Sequence, residues 1–320
     1  MDISSAYKLV KSSVVAFTLK YVPVYDEKAP PPAFPPILGT GFVVREHGII
    51  ATNAHVVRGF SKAPQLPDAP KDEWPVRALM FKRIEQGMVE IPLEIVGVAT
   101  ISGFVPGKAY YGPKEGPDLA FVHVKARGLP VVQIDSKALI EEGVEIATAG
   151  FPMGSDLLTA PGWLHQLTAT LQRGIVSAVL PFVCPTPHAY SINVMTQGGA
   201  SGSPVFLSET GAVVGVLYGG LHDLEVSIQG KDFYKVPTNI SYVVPSHYLV
   251  RALEGVSKHP DMQPQPEALT IEEILKRAEL VNILDKGRNW ITKKVDPEAE
   301  AARVSQLNRV TPENSRGGGR

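Results

Sequence analysis

Cysteine is nearly absent from this chain: Cys184 is the only one in 320 residues. One thiol cannot build a disulfide framework, and it cannot supply the cysteine pairs of a structural zinc site. A reducing compartment suits such a chain, and a cytoplasmic location is expected. Neither charge is in excess, since 31 basic residues face 32 acidic ones and the formal net charge is −1. A nucleic-acid partner is therefore not expected, because it would call for a clustered positive footprint. Long apolar runs are lacking too. The longest early one, SSVVAFTL at 12–19, is too short to cross a bilayer and lacks the basic start and cleavage site of a signal peptide. No membrane partner is expected. His47, His123, His165, His188, His222, His247 and His259 show no H-E-x-x-H or other metal-ligand spacing. They read as structural or exposed, with His123 facing outward from its strand, and neither metal nor cofactor is required.

What the chain has in plenty is punctuation. Its 29 glycines and 28 prolines separate short β-branched runs such as GTGFVV, GIIATNAHVV, DLAFVHV, VEIATAGF, SPVFL and GAVVGVLYGG. Short runs divided by turn residues indicate an all-β sandwich or barrel rather than alternating βα units. Helical periodicity of useful length is missing between residue 12 and about residue 245, as the β reading requires. Short helices are expected at the start, in SSAYKLVKS, and at the close, in PSHYLVRALEGV. The bulk, residues 1–256, reads as one β domain. Residues 257–269 are polar with three prolines and read as a linker. Residues 270–291 carry apolar residues at helical spacing between a Thr270 cap and a Gly287 stop. The charged end, 292–320, reads as a disordered tail, and KAPPPAFPP at 28–36 as an extended Pro-rich stretch.

The segment MTQGGASGSPVF, residues 195–206, places six small residues ahead of a return to apolar sequence. Such a run lets the backbone turn sharply with its N–H groups exposed, and it leaves a hydroxyl uncovered. A serine nucleophile needs a base within hydrogen-bond reach, and a histidine base needs a carboxylate to fix its tautomer. The oxyanion that forms needs preorganised N–H donors. The chain supplies these types in the order His55, Asp118, Ser201. The α/β-hydrolase elbow G-x-S-x-G is absent, because position 203 is Ser. Asp135 and Asp156 are rival acids, but neither opens a strand like DLAFV. Cys184, in FVCPTP, reads as a small buried residue, and Ser203 as a hydrogen-bonding group within the loop.

These residues resemble the trypsin-like serine peptidases of the chymotrypsin fold, and among them the bacterial high-temperature-requirement (HtrA/Deg) branch, here without a PDZ domain. The resemblance is carried, in the family's order, by GTGFVV (39–44), IIATNAHVV (49–57), PDLAFVHV (117–124), AGFPMG (149–154), RGIVSAV (173–179), GGASGSPVF (198–206), GAVVGVLYGG (211–220) and NISYVVPS (239–246). It implies two antiparallel six-stranded β-barrels with the active site between them, plus a short C-terminal helical appendage. It implies a serine endopeptidase acting through an acyl-enzyme. His55 would be the general base and then the acid, Asp118 would orient it, and Ser201 would attack. The N–H groups of Gly199 and Ser201 would form the oxyanion hole. Met195 would lie near the base of the substrate pocket, beside a strand of Leu217, Tyr218 and Gly219. The branch usually reads G-N-S-G-G, whereas Ala200 and Ser203 stand here. With no acid at Met195, a medium-sized apolar residue rather than Lys or Arg is expected at the cleaved position. The implied partner is a polypeptide substrate. The alternative is a catalytically latent peptide-binding or scaffold module on the same fold; an esterase of small substrates would use the same triad. The C-terminal helix is a candidate surface for a regulatory partner or self-association.

Overall fold

The computed structural model describes residues 1–24, 36–63, 73–101, 116–152, 154, 168–226, 233–278 and 292–294. Residues 28–35 of the Pro-rich stretch, Asp156, His165, Gly287 and the tail from 295 lie outside the described residues. The chain opens with helix α1 (Ile3–Lys11), whose first turn is capped by the Asp2 carboxylate on the Ser5 N–H at 2.7 Å. Strands β1 (Val14–Leu19) and β2 (Val22–Val24) follow, then β3 (Ile37–Arg45), β4 (Ile49–Thr52), helix α2 (Ala54–Lys62), β5 (Val76–Ile84), β6 (Gly87–Thr100) and β7 (Ala120–Val124). All but β2 close a barrel in the order β1-β3-β4-β7-β6-β5. A second barrel is built from β8 (Glu145–Gly150), β9 (Thr170–Leu180), β10 (Ala189–Ile192), β11 (Pro204–Leu207), β12 (Val213–Val226) and β13 (Phe233–Pro245). Its order is β10-β13-β12-β11-β8-β9. The expected pair of six-stranded antiparallel barrels is present.

Period-two alternation sorts the side chains into three cores. In β1, Val15, Phe17 and Leu19 fill the first barrel, while Val14 and Ala16 point out of it. That outer face is also buried, because the two barrels pack against each other. Phe42, Val44, Ala51 and Phe121 from the first barrel meet Ala147, Phe206, Val216 and Val244 from the second. Ala6 and Val10 of α1 join this middle core, as do Leu249 and Leu253 of helix α3 (Ser246–Val256). Strands buried on both faces read as continuous apolar runs rather than as alternating ones. The second barrel's interior holds Ile146, Val176, Tyr190, Val205, Val214 and Leu217.

After α3 the chain crosses back to the first barrel. The segment read as a linker, 257–269, contains a helical turn at Pro260–Met262 and is packed down, with Met262 only 1% exposed. His123 consequently does not face outward. It is wholly buried, with Nδ1 2.7 Å from the Asp261 carbonyl and Nε2 3.1 Å from that of His47. The outer face of β7 at this point is covered by the returning strap, which the polar sequence did not announce. A Cβ at Gly97 of β6 would come 2.9 Å from the Asp261 carbonyl oxygen, so a bare backbone makes room for the crossing. Arg127 then grips the strap: its N–H donates to the Leu269 carbonyl at 3.0 Å and its Nε to that of Ala268 at 2.9 Å.

Helix α4 (Ile271–Arg277) follows, started by a capping box between Thr270 and Glu273. Ile271 enters the first barrel's core, with Ile274 and Leu275 packed against it. The helix expected to run toward Gly287 stops at Arg277, and Ala278 is extended. A short strand, β14 (Thr292–Lys294), pairs in parallel with β2. Met262→Ala should lower the unfolding free energy by about 2–5 kcal/mol. The check is a fall in the urea midpoint at unchanged m.

His247 opens α3 with its ring 4.1 Å from that of Tyr248. Burial first, and the charge of His188 second, push its pKa down from 6.5 to about 4. The folded protein therefore keeps this ring neutral while the unfolded chain takes up a proton below about 6.5. Stability linked to it is full above pH 6.5 and declines as the pH falls from there toward 4. In His247→Phe the drop in melting temperature from pH 7 to pH 5 should be smaller than in the wild type.

Candidate active site

The first barrel contributes a histidine and an acid through one local device. Asn53 occupies the N-cap position of α2 but makes no side-chain cap bond. Its Nδ2 instead donates to the Asp118 main-chain carbonyl at 2.8 Å. The Asp118 carboxylate takes over the cap: Oδ1 accepts the His55 main-chain N–H at 3.0 Å, and Oδ2 lies 2.5 Å from His55 Nδ1. A carboxylate at a helix N-terminus is favoured by the orphan N–H groups and the dipole there. Burial pushes the Asp118 carboxyl up, but its hydrogen bonds to His55, with the charges of His55 and Arg58, hold it below the ordinary value. The acid thus stays ionised, and Nε2 of His55 is left for chemistry.

The second barrel contributes the small-residue loop. The Ala200 N–H donates to the Gln197 carbonyl and the Ser203 N–H to the Ala200 carbonyl, both at 3.1 Å. Two four-residue turns therefore share Ala200. Their third residues are Gly199 (φ +95°) and Gly202 (φ +88°), and a positive φ at that place is the mark of a type II turn. Space demands glycine as strongly. A Cβ at Gly199 would come 2.4 Å from the Phe151 carbonyl oxygen, and one at Gly202 would come 2.0 Å from that of Thr40. The Gly202 N–H donates to the Leu217 carbonyl at 2.8 Å. Among the described residues the N–H groups of Gly199 and Ser201 meet no backbone acceptor. Alternate amides of the loop are thus spent and spared.

Ser201 is partly exposed, second in its turn. Among the described residues no hydrogen bond joins its hydroxyl to His55; such bonds often tighten only around a substrate. Ser203 donates to the Ala200 carbonyl at 2.6 Å, the loop role expected of it. Asp135 caps its own turn by accepting the N–H groups of Lys137 and Ala138, so it is no rival acid. Cys184 is half-buried rather than buried.

The residues expected near the pocket differ in what they present. Met195 is 42% exposed. Leu217 turns its side chain into the second barrel's interior, and only its backbone faces the loop. Tyr218 stacks on Tyr242 with ring centroids 6.0 Å apart. Burial first, then the charges of Tyr242 and Asp118, raise the pKa of its hydroxyl. A Cβ at Gly219 would meet nothing within 4 Å. Beside it, Thr196 Oγ1 pairs with Ser241 Oγ at 2.9 Å, and Ser241 also donates to the Val194 carbonyl.

A family profile, the trypsin-like peptidase domain, matches residues 39–216, more than half of the chain. The chain belongs to the trypsin-like peptidases. Among curated proteins it is 27% identical over 179 residues to a probable periplasmic serine endoprotease, DegP-like, of Halomonas elongata. It is also 27% identical over 181 residues to a putative serine protease, HhoA, of Synechocystis. Each match takes in 56% of this chain, which spans 28% of the first relative's length and 36% of the second's. A solved HtrA-type protease, AlgW with a decapeptide, is 16% identical; the match covers 81% of this chain and 68% of that one at a TM-score of 0.49.

This trypsin-like peptidase also relies on residues that the motifs contained but did not single out. Asn53 ties down the Asp118 backbone. Thr52 donates its hydroxyl to the Thr40 carbonyl at 2.7 Å, and Thr40 donates its own to the Gly199 carbonyl at 2.7 Å. Their only signal in the sequence is position, each within a few residues of the strand end that carries His55 or pairs with it.

Proposed function

We propose that this trypsin-like peptidase is a serine endopeptidase that hydrolyses polypeptides through an acyl-enzyme, with His55, Asp118 and Ser201 as its triad. The observation that carries the reading is the spared pair of N–H groups, Gly199 and Ser201, beside a histidine whose Nδ1 is already engaged by an ionised Asp118. Ser201 Oγ adds to the substrate carbonyl as its proton passes to His55 Nε2. The spared N–H groups receive the oxyanion. His55 then gives the proton to the amine as the C–N bond breaks, and water repeats the cycle to release the acid.

Strand β12 offers the place for the chain to be cut. Its pairing with β11 ends at Val216, and Leu217 is engaged by Gly202 and Ser203. From Gly219 that edge carries no strand among the described residues, so an extended peptide adds there beside Met195 and Tyr218. A medium-sized apolar residue next to the cleaved bond suits a pocket without an acid at Met195. A cytoplasmic location belongs to this proposal, the single Cys184 being its support, and cell fractionation tests it.

The testing experiment is labelling with a fluorophosphonate probe beside a Ser201→Ala control, with the modified peptide located by mass spectrometry. Labelling confined to Ser201 supports an activated nucleophile with a working oxyanion hole. An unlabelled wild type favours the latent peptide-binding module instead. Turnover of small esters without turnover of peptides would favour an esterase.

A further inference from the structure

We infer that Thr40, on the first barrel, is a positioning residue that fixes the oxyanion loop of the second. The inference rests on the peptidase reading above. Four peptide planes run from Gly198 to Gly202. The 199–200 plane is held at both ends: the Gly199 carbonyl accepts Thr40 Oγ1–H at 2.7 Å and the Ala200 N–H reaches Gln197 at 3.1 Å. The 201–202 plane is also held at both ends. Its carbonyl accepts the Thr40 main-chain N–H at 2.8 Å, and its N–H reaches Leu217 at 2.8 Å. In the 200–201 plane the carbonyl is held by Ser203, through N–H and Oγ, which leaves the Ser201 N–H for the oxyanion. The 198–199 plane has no hydrogen bond at either end among the described residues. Its direction, and with it that of the Gly199 N–H, follows from the Gly199 backbone, whose carbonyl Thr40 holds.

The Thr40 hydroxyl can point only one way. It is wholly buried, and it has a single proton. The Gly199 carbonyl can only accept that proton, while the Phe151 N–H, 3.2 Å away, takes a lone pair. The Thr40 carbonyl is tied in turn to Thr52 Oγ1 at 2.7 Å, three residues before His55. One residue thus sets the register between the barrel that carries the base and the loop that carries the nucleophile, its side chain holding the Gly199 carbonyl. Valine would keep the shape and leave the Gly199 carbonyl and Phe151 N–H unpaired in a dry site. Serine would keep the bonds.

The test compares Thr40→Val and Thr40→Ser in the full chain by peptide kinetics and by amide hydrogen exchange over residues 197–207. Thr40→Val should lower kcat by about ten- to a hundredfold with KM near the wild-type value, as expected of misplaced donors rather than lost binding. Its Ala200 and Gly202 amides should exchange faster, and Thr40→Ser should restore both readouts. Wild-type kcat and exchange in Thr40→Val would overturn the inference. So would an equal loss in the serine variant, or a change confined to KM. A wild type that turned over no peptide or ester would sink the peptidase reading instead, and exchange would then decide alone whether Thr40 holds the loop.

Discussion

Ser201→Ala should abolish peptide turnover, by on the order of a millionfold, because members of a triad act as a unit. His55→Ala should cost a similar amount of turnover, but the two variants should part company in stability. The turns around Ser201 are held by main-chain bonds and by Ser203 and Thr40, so losing its hydroxyl leaves the fold as it was. The His55 ring, in contrast, satisfies a carboxylate that is mostly shielded from water. Removing the ring leaves the Asp118 carboxylate with the main-chain N–H of residue 55 as its one hydrogen-bond donor among the described residues, and an under-satisfied carboxylate of this kind costs about 1–3 kcal/mol. Steady-state kinetics and urea midpoints on both variants check the two halves. Peptidase activity retained in Ser201→Ala would place the nucleophile elsewhere.

Gly202→Ala should be the most damaging methyl that can be added to a glycine among the described residues. The added carbon would come 2.0 Å from the Thr40 carbonyl oxygen and 2.3 Å from Thr52 Oγ1, at a φ of +88°. Neither neighbour can yield, since Thr40 of β3 is paired with Ala16 of β1 and Thr52 of β4 with Ala120 of β7. The strained backbone and the overpacking together should cost roughly 3 kcal/mol or more. Displacement of Ser201 by even about 1 Å should cost a further hundredfold in rate. Gly255→Ala, in the same chain, meets nothing within 4 Å and lies in α3. It should gain up to about 1 kcal/mol from helix propensity. Thermal melts of the pair measure the contrast, and equal stabilities would mean that the second turn has another geometry.

Much of this architecture was legible in the sequence, for identifiable reasons. Glycine and proline punctuation marked out the strands, and runs without alternation were those buried on both faces, such as β1 and β7. His55 and Asp118 stood out because each adjoins such a run, and they meet where the motifs implied. The strap at 257–269 was hidden because main-chain carbonyls hold it. Asp261, Ala268 and Leu269 each offer an oxygen to the first barrel, and no side-chain pattern displays a carbonyl. The burial of His123 is hidden for the same reason, its cover coming from a segment far away in the chain. Thr40 lies within GTGFVV, but a strand motif does not say that one hydroxyl reaches across to another barrel. Helix α4 was marked by its Thr270 cap, whereas its end at Arg277 carries no glycine or proline signal.

The middle core also imposes an order in time. It joins Ala6 and Val10 to Leu253, Val256 and Met262, so its two ends are almost the whole domain apart along the chain. Contacts of such separation close late, because the loop entropy must be met before they contribute. A chain emerging from the ribosome can pair the strands of its first barrel early, but the loop of Gly199 and Ser201 has no fixed place against Thr40 until the second barrel is complete. The nascent protein would therefore hold His55 and Asp118 together without Ser201 in place beside them. On the proposed peptidase reading, cutting ability would arrive only after the last strands, when the barrels are ready to be pressed together.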